Sequence, residues 1–276
     1  MKIIAPAKVN LCLHVTAKRS DGYHDLCMIM QKISLCDELD IEVTASAGVE
    51  FSCANIELGS PEDNLVVRAA QALLRYDKHQ RGLKISLKKN IPVAAGLGGG
   101  SSDAASTLVA VDKLLGLNLD PEVLRREALS LGADVPFFLY GSVAWATGIG
   151  DKLQAVNIVP PYWLVLVNPG VGVSTAQVYS TLSEQGYSSS PIYPVIKTEA
   201  ELLALLHNDL EAATLPLCPQ VAQLKDDMLR LGAKGTLMSG SGPTVFGVFF
   251  SEEMAHCAQQ KLIEEGRGWS CVASPV

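Results

Sequence analysis

The sequence predicts an α+β fold in two lobes, and three observations predict it. Apolar runs of strand period fill the first 45 residues, helical period takes over only later, and strands and helices then follow without the strict strand–helix–strand repeat of a parallel sheet. With 276 residues, 48% hydrophobic and 18% charged, the chain holds enough apolar side chains for one large core or two modest ones.

Taken in order, strands are expected over 3–15, 29–35 and 39–45, separated by polar turns such as the Arg-Ser-Asp-Gly of 19–22. Asn64 then caps a helix in which Leu65, Ala69 and Leu73 form one stripe and Val66, Ala70 and Leu74 run beside it. A strand over 83–87 leads into a glycine-rich segment. A helix over 102–115 follows, and another starts at Pro121, with Asp120 as cap and Leu124, Ala128 and Leu131 in phase. Strands are expected over 143–147 and 162–167, and the Ser-, Gly-, Tyr- and Pro-rich stretch 185–194 reads as a surface loop. Helices over 198–207, 220–231 and 252–265, with strands over 235–238, 244–250 and at the C-terminus, complete the chain. The lobe boundary is expected within 148–159, giving an N-terminal lobe of 1–152 and a C-terminal lobe of 153–276.

Four segments carry candidate chemistry. The first, PVAAGLGGGSSDAA (Pro92 to Ala105), sits after a strand and runs straight into a helical pattern. Gly96, Gly98, Gly99 and Gly100 let the backbone turn its amides inward, and the helix start adds dipole and unpaired N–H donors, an arrangement suited to a polyphosphate. Ser101 and Ser102 are expected to cap the helix, and a hydroxyl there can also reach phosphate or magnesium. No GK[ST] follows the glycines, so this is no Walker A loop, and Ser101 stands where a dinucleotide fingerprint needs its third glycine. The second segment places Lys8 and Asn10 at alternate positions of an apolar strand, hence on one face; they point either to a ligand or to an edge strand with solvated polar residues. The third is Asp134 in GADVPFF, at a helix end among apolar neighbours, readable as a functional carboxylate or as a turn or cap. The fourth, SGSGPT (Ser239 to Thr244), is a second glycine-rich turn feeding a strand.

In order, PAKVNL, P-x-x-x-G-L-G-G-G-S-S and GSGPTVFG resemble the three motifs of the GHMP kinases, the family of galactose, homoserine, mevalonate and phosphomevalonate kinases. The resemblance spans nearly the whole chain. It implies a two-lobe GHMP kinase fold, with an N-terminal lobe like the ribosomal S5 domain 2 type, a C-terminal α+β lobe, and ATP and substrate in the cleft between them. It also implies roles. Asp134 would be the catalytic aspartate and Lys8 its lysine partner, facing each other across an acceptor hydroxyl, with Lys8 favouring the carboxylate form. Pro92, Ala94, Ala95, Gly96, Leu97, Gly98, Gly99, Gly100, Ser101 and Ser102 would wrap the phosphates of Mg-ATP. The stretch RSDGYHDL, with GLGGGSSDAA and GADVPFFL, resembles the branch of the family that takes a small cytidylyl-bearing alcohol. Tyr23, His24 and Tyr179 then match positions that hold the cytidine, the tyrosines as stacking faces and His24 as a hydrogen-bond partner, while Asn10 and Thr175 line the same pocket. Adenine is expected near 58–66 and Lys88. The motifs do not specify the magnesium ligands.

Composition closes off other classes. A net charge of -7 and a pI near 5.3 do not suit a salt-driven grip on nucleic acid. The seven cysteines show no CxxC spacing and read as free thiols in a reducing compartment. No stretch approaches the ~18 consecutive apolar residues of a membrane helix, and the N-terminal run is broken by Lys8 and Asn10, unlike a signal peptide. A cytoplasmic enzyme, monomeric or a weak homodimer, is expected. The discriminating alternatives are a sibling kinase for another alcohol, against which Tyr23 and His24 count, and a nucleotide sensor without turnover, which has little need of Lys8 and Asp134.

Overall fold

The computed structural model describes residues 1–182, 187–189, 191 and 193–276. Gln185, Gly186, Ser190 and Ile192 of the expected loop lie outside the described residues. Through the glycine-rich segment the elements are β1 (Lys2–Lys18), β2 (His24–Thr44), β3 (Gly48–Cys53), α1 (Leu65–Leu74), β4 (Gly82–Lys88) and α2 (Gly99–Leu115). There follow α3 (Pro121–Leu131), α4 (Val135–Tyr140), β5 (Val143–Gly148), β6 (Lys152–Ala155), β7 (Trp163–Asn168) and α5 (Thr175–Thr181). The rest is α6 (Glu199–Leu205), β8 (His207–Asn208), α7 (Glu211–Thr214), α8 (Gln220–Arg230), β9 (Gly235–Met238), β10 (Val245–Phe249), α9 (Glu252–Glu264) and β11 (Trp269–Ala273).

The chain forms two compact units that are not consecutive halves. One comprises Met1–Ala7, Leu35–Val93 and Gly98–Gly141, the other Lys8–Ser34, Ala94–Leu97 and Ser142–Val276. In the first, β2 pairs antiparallel with β4 from Glu38 opposite Lys88 to Thr44 opposite Gly82, and β3 runs parallel to β4. A parallel neighbour needs a crossover, and α1 supplies it. Along β4, Leu83, Ile85 and Leu87 are buried while Lys84, Ser86 and Lys88 are exposed, the period-2 signature of a one-sided sheet. The buried face meets Val66, Ala69, Ala70 and Leu73 of α1 and Ala104, Leu108, Val111 and Leu115 of α2. Each fully buried leucine in this cluster contributes about 1.5–3 kcal/mol. Asn64 caps α1, its Oδ1 accepting the Val66 N–H at 2.8 Å, and Asp120 caps α3 through Glu122 N–H at 2.8 Å.

In the second unit β1 lies between β2 and β8, and β5 and β6 extend from β2. A separate antiparallel sheet has the order β11-β7-β10-β9, with α8 and α9 packed on it. Leu164 to Val167 of β7 and Val245, Phe246 and Val248 of β10 are wholly buried, the continuous apolar run of a covered strand.

Two expectations need correction. The break foreseen at 36–38 does not occur, and β2 runs through it. Asp37 is fully buried there, its Oδ1 accepting the N–H groups of Asn90 and Ile91 at 2.6 and 2.8 Å, so the polar residue is satisfied inside the strand instead of ending it. Second, α2 begins at Gly99, so Ser101 and Ser102 sit inside its first turn and do not cap it. The cap is Gly98, at φ +68°, and it offers no side-chain bond. β3, β6, β8, α4, α5 and α7 were not anticipated, and the helix expected over 198–207 ends at Leu205, before β8; β3 is half-exposed along its length and β6 has only four residues, so neither carries a strong pattern.

Candidate active site

The glycine-rich segment is divided between the two units, 94–97 in one and 98–102 in the other. In the first unit Gly98 caps the 17-residue α2, and the N–H groups of its first turn have no intrahelical partners. Ser102 N–H bonds to the Gly98 carbonyl at 2.9 Å, and the Ser102 hydroxyl is fully buried with no hydrogen-bond partner among the described residues. A buried orphan hydroxyl costs about 1–3 kcal/mol unless something else satisfies it.

Beneath this turn lies a triad that sequence reading missed. Lys89 Nζ, buried, donates to Asp103 Oδ2 at 2.7 Å and to Asp37 Oδ2, joining the end of β4 to α2 and β2. Burial works to lower the Lys89 pKa, but Asp103 and Asp37 together hold it above the usual lysine range. Burial, opposed by Lys89 and reinforced by Asp37, pushes Asp103 up to about 7. The signal was present in part: Asp103 stands in phase with Thr107 and Ala110 on a stripe of small residues, and a carboxylate there requires a cation. Asp134, half-buried, occupies the turn joining α3 to α4 and makes no side-chain cap bond to α4.

In the second unit Lys8 and Asn10 are 4% and 1% exposed on β1, which excludes a solvated edge strand. Lys8 Nζ donates to Asn10 Oδ1 at 2.6 Å and to the Gly96 carbonyl at 3.1 Å, and Lys8 N–H bonds to the Leu97 carbonyl at 2.9 Å. The second glycine turn completes this cluster, the Ser239 hydroxyl donating to Gly96 O at 2.9 Å and accepting from Asn10 N–H at 3.4 Å. Gly96 has φ +76°, and a Cβ there would lie 2.1 Å from the Ser239 carbonyl oxygen. Gly96→Ala should therefore lower thermal stability, by about 1–3 kcal/mol for the strained position, and reduce kcat/KM for ATP; a thermal melt and ATP titration check both. Ala94, a non-glycine at φ +52°, carries backbone strain in the same segment, while Ala95 and Leu97 anchor it as buried apolar residues.

Thr175 opens α5, and its Oγ1 lies 2.8 Å from Ser241 Oγ of the same turn. One helical turn on, on the same face, Tyr179 stacks on His24 with ring centroids 5.1 Å apart. Tyr187 meets His24 edge-on at 5.9 Å. Burial, then the charge of Lys18, holds His24 below the usual imidazole range, so at neutral pH the ring offers one donor and one acceptor. The structure thus brings Lys8, Asn10, Gly96 and Ser239 into one cluster, and Thr175 with Ser241 and Tyr179 with His24 into two further contacts. Tyr23 is 59% exposed and has no ring contact among the described residues.

The GHMP kinases N terminal domain family matches residues 64–142, and the GHMP kinases C terminal family matches residues 196–268. The 4-diphosphocytidyl-2-C-methyl-D-erythritol kinase of Syntrophotalea carbinolica is 48% identical over 271 residues, covering 98% of this chain and 96% of the relative. That of Geobacter metallireducens is 49% identical over 270 residues, with 98% and 96% covered. Among solved structures, a crystal structure of 4-(cytidine 5'-diphospho)-2C-methyl-D-erythritol kinase superimposes with a TM-score of 0.84 at 37% identity, covering 99% of this chain and 98% of that one. A homoserine kinase from Cytophaga hutchinsonii shares the fold, with a TM-score of 0.75 at 21% identity over 100% of this chain and 94% of that one.

Proposed function

Because the chain belongs to the GHMP kinases, and within them to the 4-diphosphocytidyl-2-C-methyl-D-erythritol kinases, we propose that it transfers the γ-phosphoryl group of ATP to the 2-hydroxyl of 4-diphosphocytidyl-2-C-methyl-D-erythritol. The products are the 2-phosphate and ADP, in isoprenoid precursor synthesis by the non-mevalonate route. The observation that carries this reading is the buried Lys8 ammonium, bonded at once to Asn10 and to a carbonyl of the glycine-rich loop. A structural lysine on a covered strand is costly; a cation that neutralises charge passing between phosphate and alcohol has a use there.

Phosphoryl transfer asks mainly for positioning and charge neutralisation. The amides of 96–102 and the start of α2 cradle the ATP phosphates, and Pro92, Ala94, Ala95 and Leu97 shape the loop that presents them. The first-turn amides fit phosphate oxygens, and the orphan Ser102 hydroxyl oxygen fits a magnesium ion bound to that phosphate, which would neutralise its charge. Asp134 orients the acceptor hydroxyl and accepts its proton. Asn10 and Thr175 line the substrate pocket, and Tyr23, His24 and Tyr179 hold the cytosine, the neutral His24 hydrogen-bonding its edge. For the adenine, a cleft of about 300 Å³ in the first unit, lined by Phe51, Cys53, Ile56 and Leu58, overlaps the expected segment at Leu58. The lobes 1–152 and 153–276 stay part of this proposal; the two family matches, 64–142 and 196–268, lie on either side of that boundary and support it.

We place the enzyme in the cytoplasm, as a monomer or weak homodimer. The free cysteines support a reducing compartment, and no described helix is long and apolar enough to cross a membrane. Ser102→Ala separates stability from function. Removing an unsatisfied hydroxyl should leave Tm unchanged or raised, whereas losing a hydroxyl that meets phosphate or its metal should cut kcat/KM for ATP by about 10- to 100-fold. ADP release tests the reaction itself, using Mg-ATP with the cytidylyl alcohol, mevalonate or homoserine in separate vessels. Turnover is expected with the first alone; turnover with another alcohol overturns the pocket assignment, and silence with all three, with ATP bound, overturns the kinase reading.

A further inference from the structure

β8 runs parallel to β1 with Cys12 opposite His207 and Leu13 opposite Asn208. Side chains alternate faces along a strand, so this register sets His14 of β1 beside His207 and Asp209, which follow each other on the same face. The two imidazoles stack at 4.4 Å and 14°, and His207 Nε2 lies 2.6 Å from Asp209 Oδ1. One ligand atom from each of the three residues falls within 4.8 Å of the others. His14 Nδ1 is buried and has no hydrogen-bond partner among the described residues, a state that buried ring nitrogens rarely occupy without a ligand. Asp209 Oδ2 accepts the Val15 N–H at 2.7 Å, the kind of support that orients a metal ligand, while the Ser188 hydroxyl donates to Oδ1 at 2.9 Å and lies 3.4 Å from His207 Nε2, at the rim of the cluster.

We propose that His14, His207 and Asp209 form a binding site for a borderline transition-metal dication of the zinc class, using none of the residues assigned to phosphoryl transfer. Two imidazole nitrogens and a carboxylate oxygen are a donor set that zinc takes with water in the remaining position, whereas magnesium selects oxygen ligands and does not compete. Bonds of about 2.0–2.2 Å set donors roughly 3.3 Å apart around a tetrahedral ion, so His207 and Asp209, now 2.6 Å apart, part and the ion replaces their hydrogen bond. His207 then binds through the nitrogen facing Asp209 and keeps its proton on the other. Within the same strand, Asn208 Nδ2 donates to the carbonyls of Met238 and Gly240 at 2.8 Å each, so an ion clamping β8 to β1 steadies the glycine turn that carries Ser239.

The test uses the tag-free full chain, stripped with EDTA and desalted, then titrated with zinc chloride by calorimetry and melted with and without zinc. One equivalent is expected, with a raised Tm. His14→Gln and the half-exposed His207→Gln should each weaken binding by about ten-fold or more and abolish the Tm rise, while the exposed His79→Gln and His256→Gln change neither. Cobalt in place of zinc should give a spectrum of nitrogen and oxygen ligation without a thiolate charge-transfer band. Absence of a bound equivalent, binding that survives both cluster substitutions, or a thiolate band from the neighbouring Cys12 would each overturn the site.

Discussion

Asp134→Asn lowers kcat by about 10²- to 10⁴-fold and leaves KM for ATP and for the alcohol within a few-fold, the expected result for a group that acts on the acceptor hydroxyl only as phosphoryl transfer proceeds. The substitution is nearly isosteric. It keeps a hydrogen-bond acceptor to orient the hydroxyl but removes the oxygen that can take the proton. Asp134 makes no side-chain cap bond to α4, so the amide forfeits no capping interaction there. Steady-state kinetics beside a thermal melt separate the outcomes. A fall in kcat at constant Tm assigns Asp134 to the chemistry, a fall in both assigns it to folding, and near-native turnover removes it from the mechanism.

The second large effect falls on Lys89. Lys89→Met leaves Asp37 and Asp103 buried without their shared cation and should cost about 3–5 kcal/mol, far more than an exposed ion pair. Asp103→Asn should cost much less, because Lys89 keeps Asp37 and one of two crowded carboxylates is gone. The pH profile supplies a second readout. Asp103 titrates near 7 in the folded chain and near 3.8 when unfolded, so between these values the folded state binds the extra proton. Its contribution to stability is therefore fully present below pH 3.8 and is lost as pH rises toward and through 7. Urea unfolding from pH 4 to 8 should show this decline in the wild type and a flatter profile in Asp103→Asn. A Lys89→Met variant as stable as the wild type would contradict the triad's role in holding the first turn of α2.

Much of this site was legible because its signals are local. The glycine run before a helical pattern announces a tight loop that turns into a helix N-terminus, and period 2 alone places Lys8 and Asn10 on one face of β1. Whether that face was wet or buried depended on the Ser239 turn, which meets Asn10 from 229 positions away and which no local pattern encodes. The same limit hid the triad, since Lys89 meets Asp37 across 52 positions. Ser101 and Ser102 misled for another reason. Serine is a good helix cap by propensity, but the loop enters α2 through a left-handed Gly98, and backbone geometry overrides the preference. The strand break foreseen at 36–38 fails likewise, because a polar residue ends a strand only when the fold offers it no partners.

The central claim, phosphoryl transfer to the 2-hydroxyl of a cytidylyl alcohol, is tested most directly by identifying the product. The enzyme is incubated with Mg-ATP and 4-diphosphocytidyl-2-C-methyl-D-erythritol, and the reaction is followed by phosphorus NMR with proton–phosphorus correlation. One new phosphomonoester signal is expected, correlated through the 2-position of the methylerythritol and growing in step with ADP. Growth of inorganic phosphate alone, or a phosphomonoester at another hydroxyl, would contradict it.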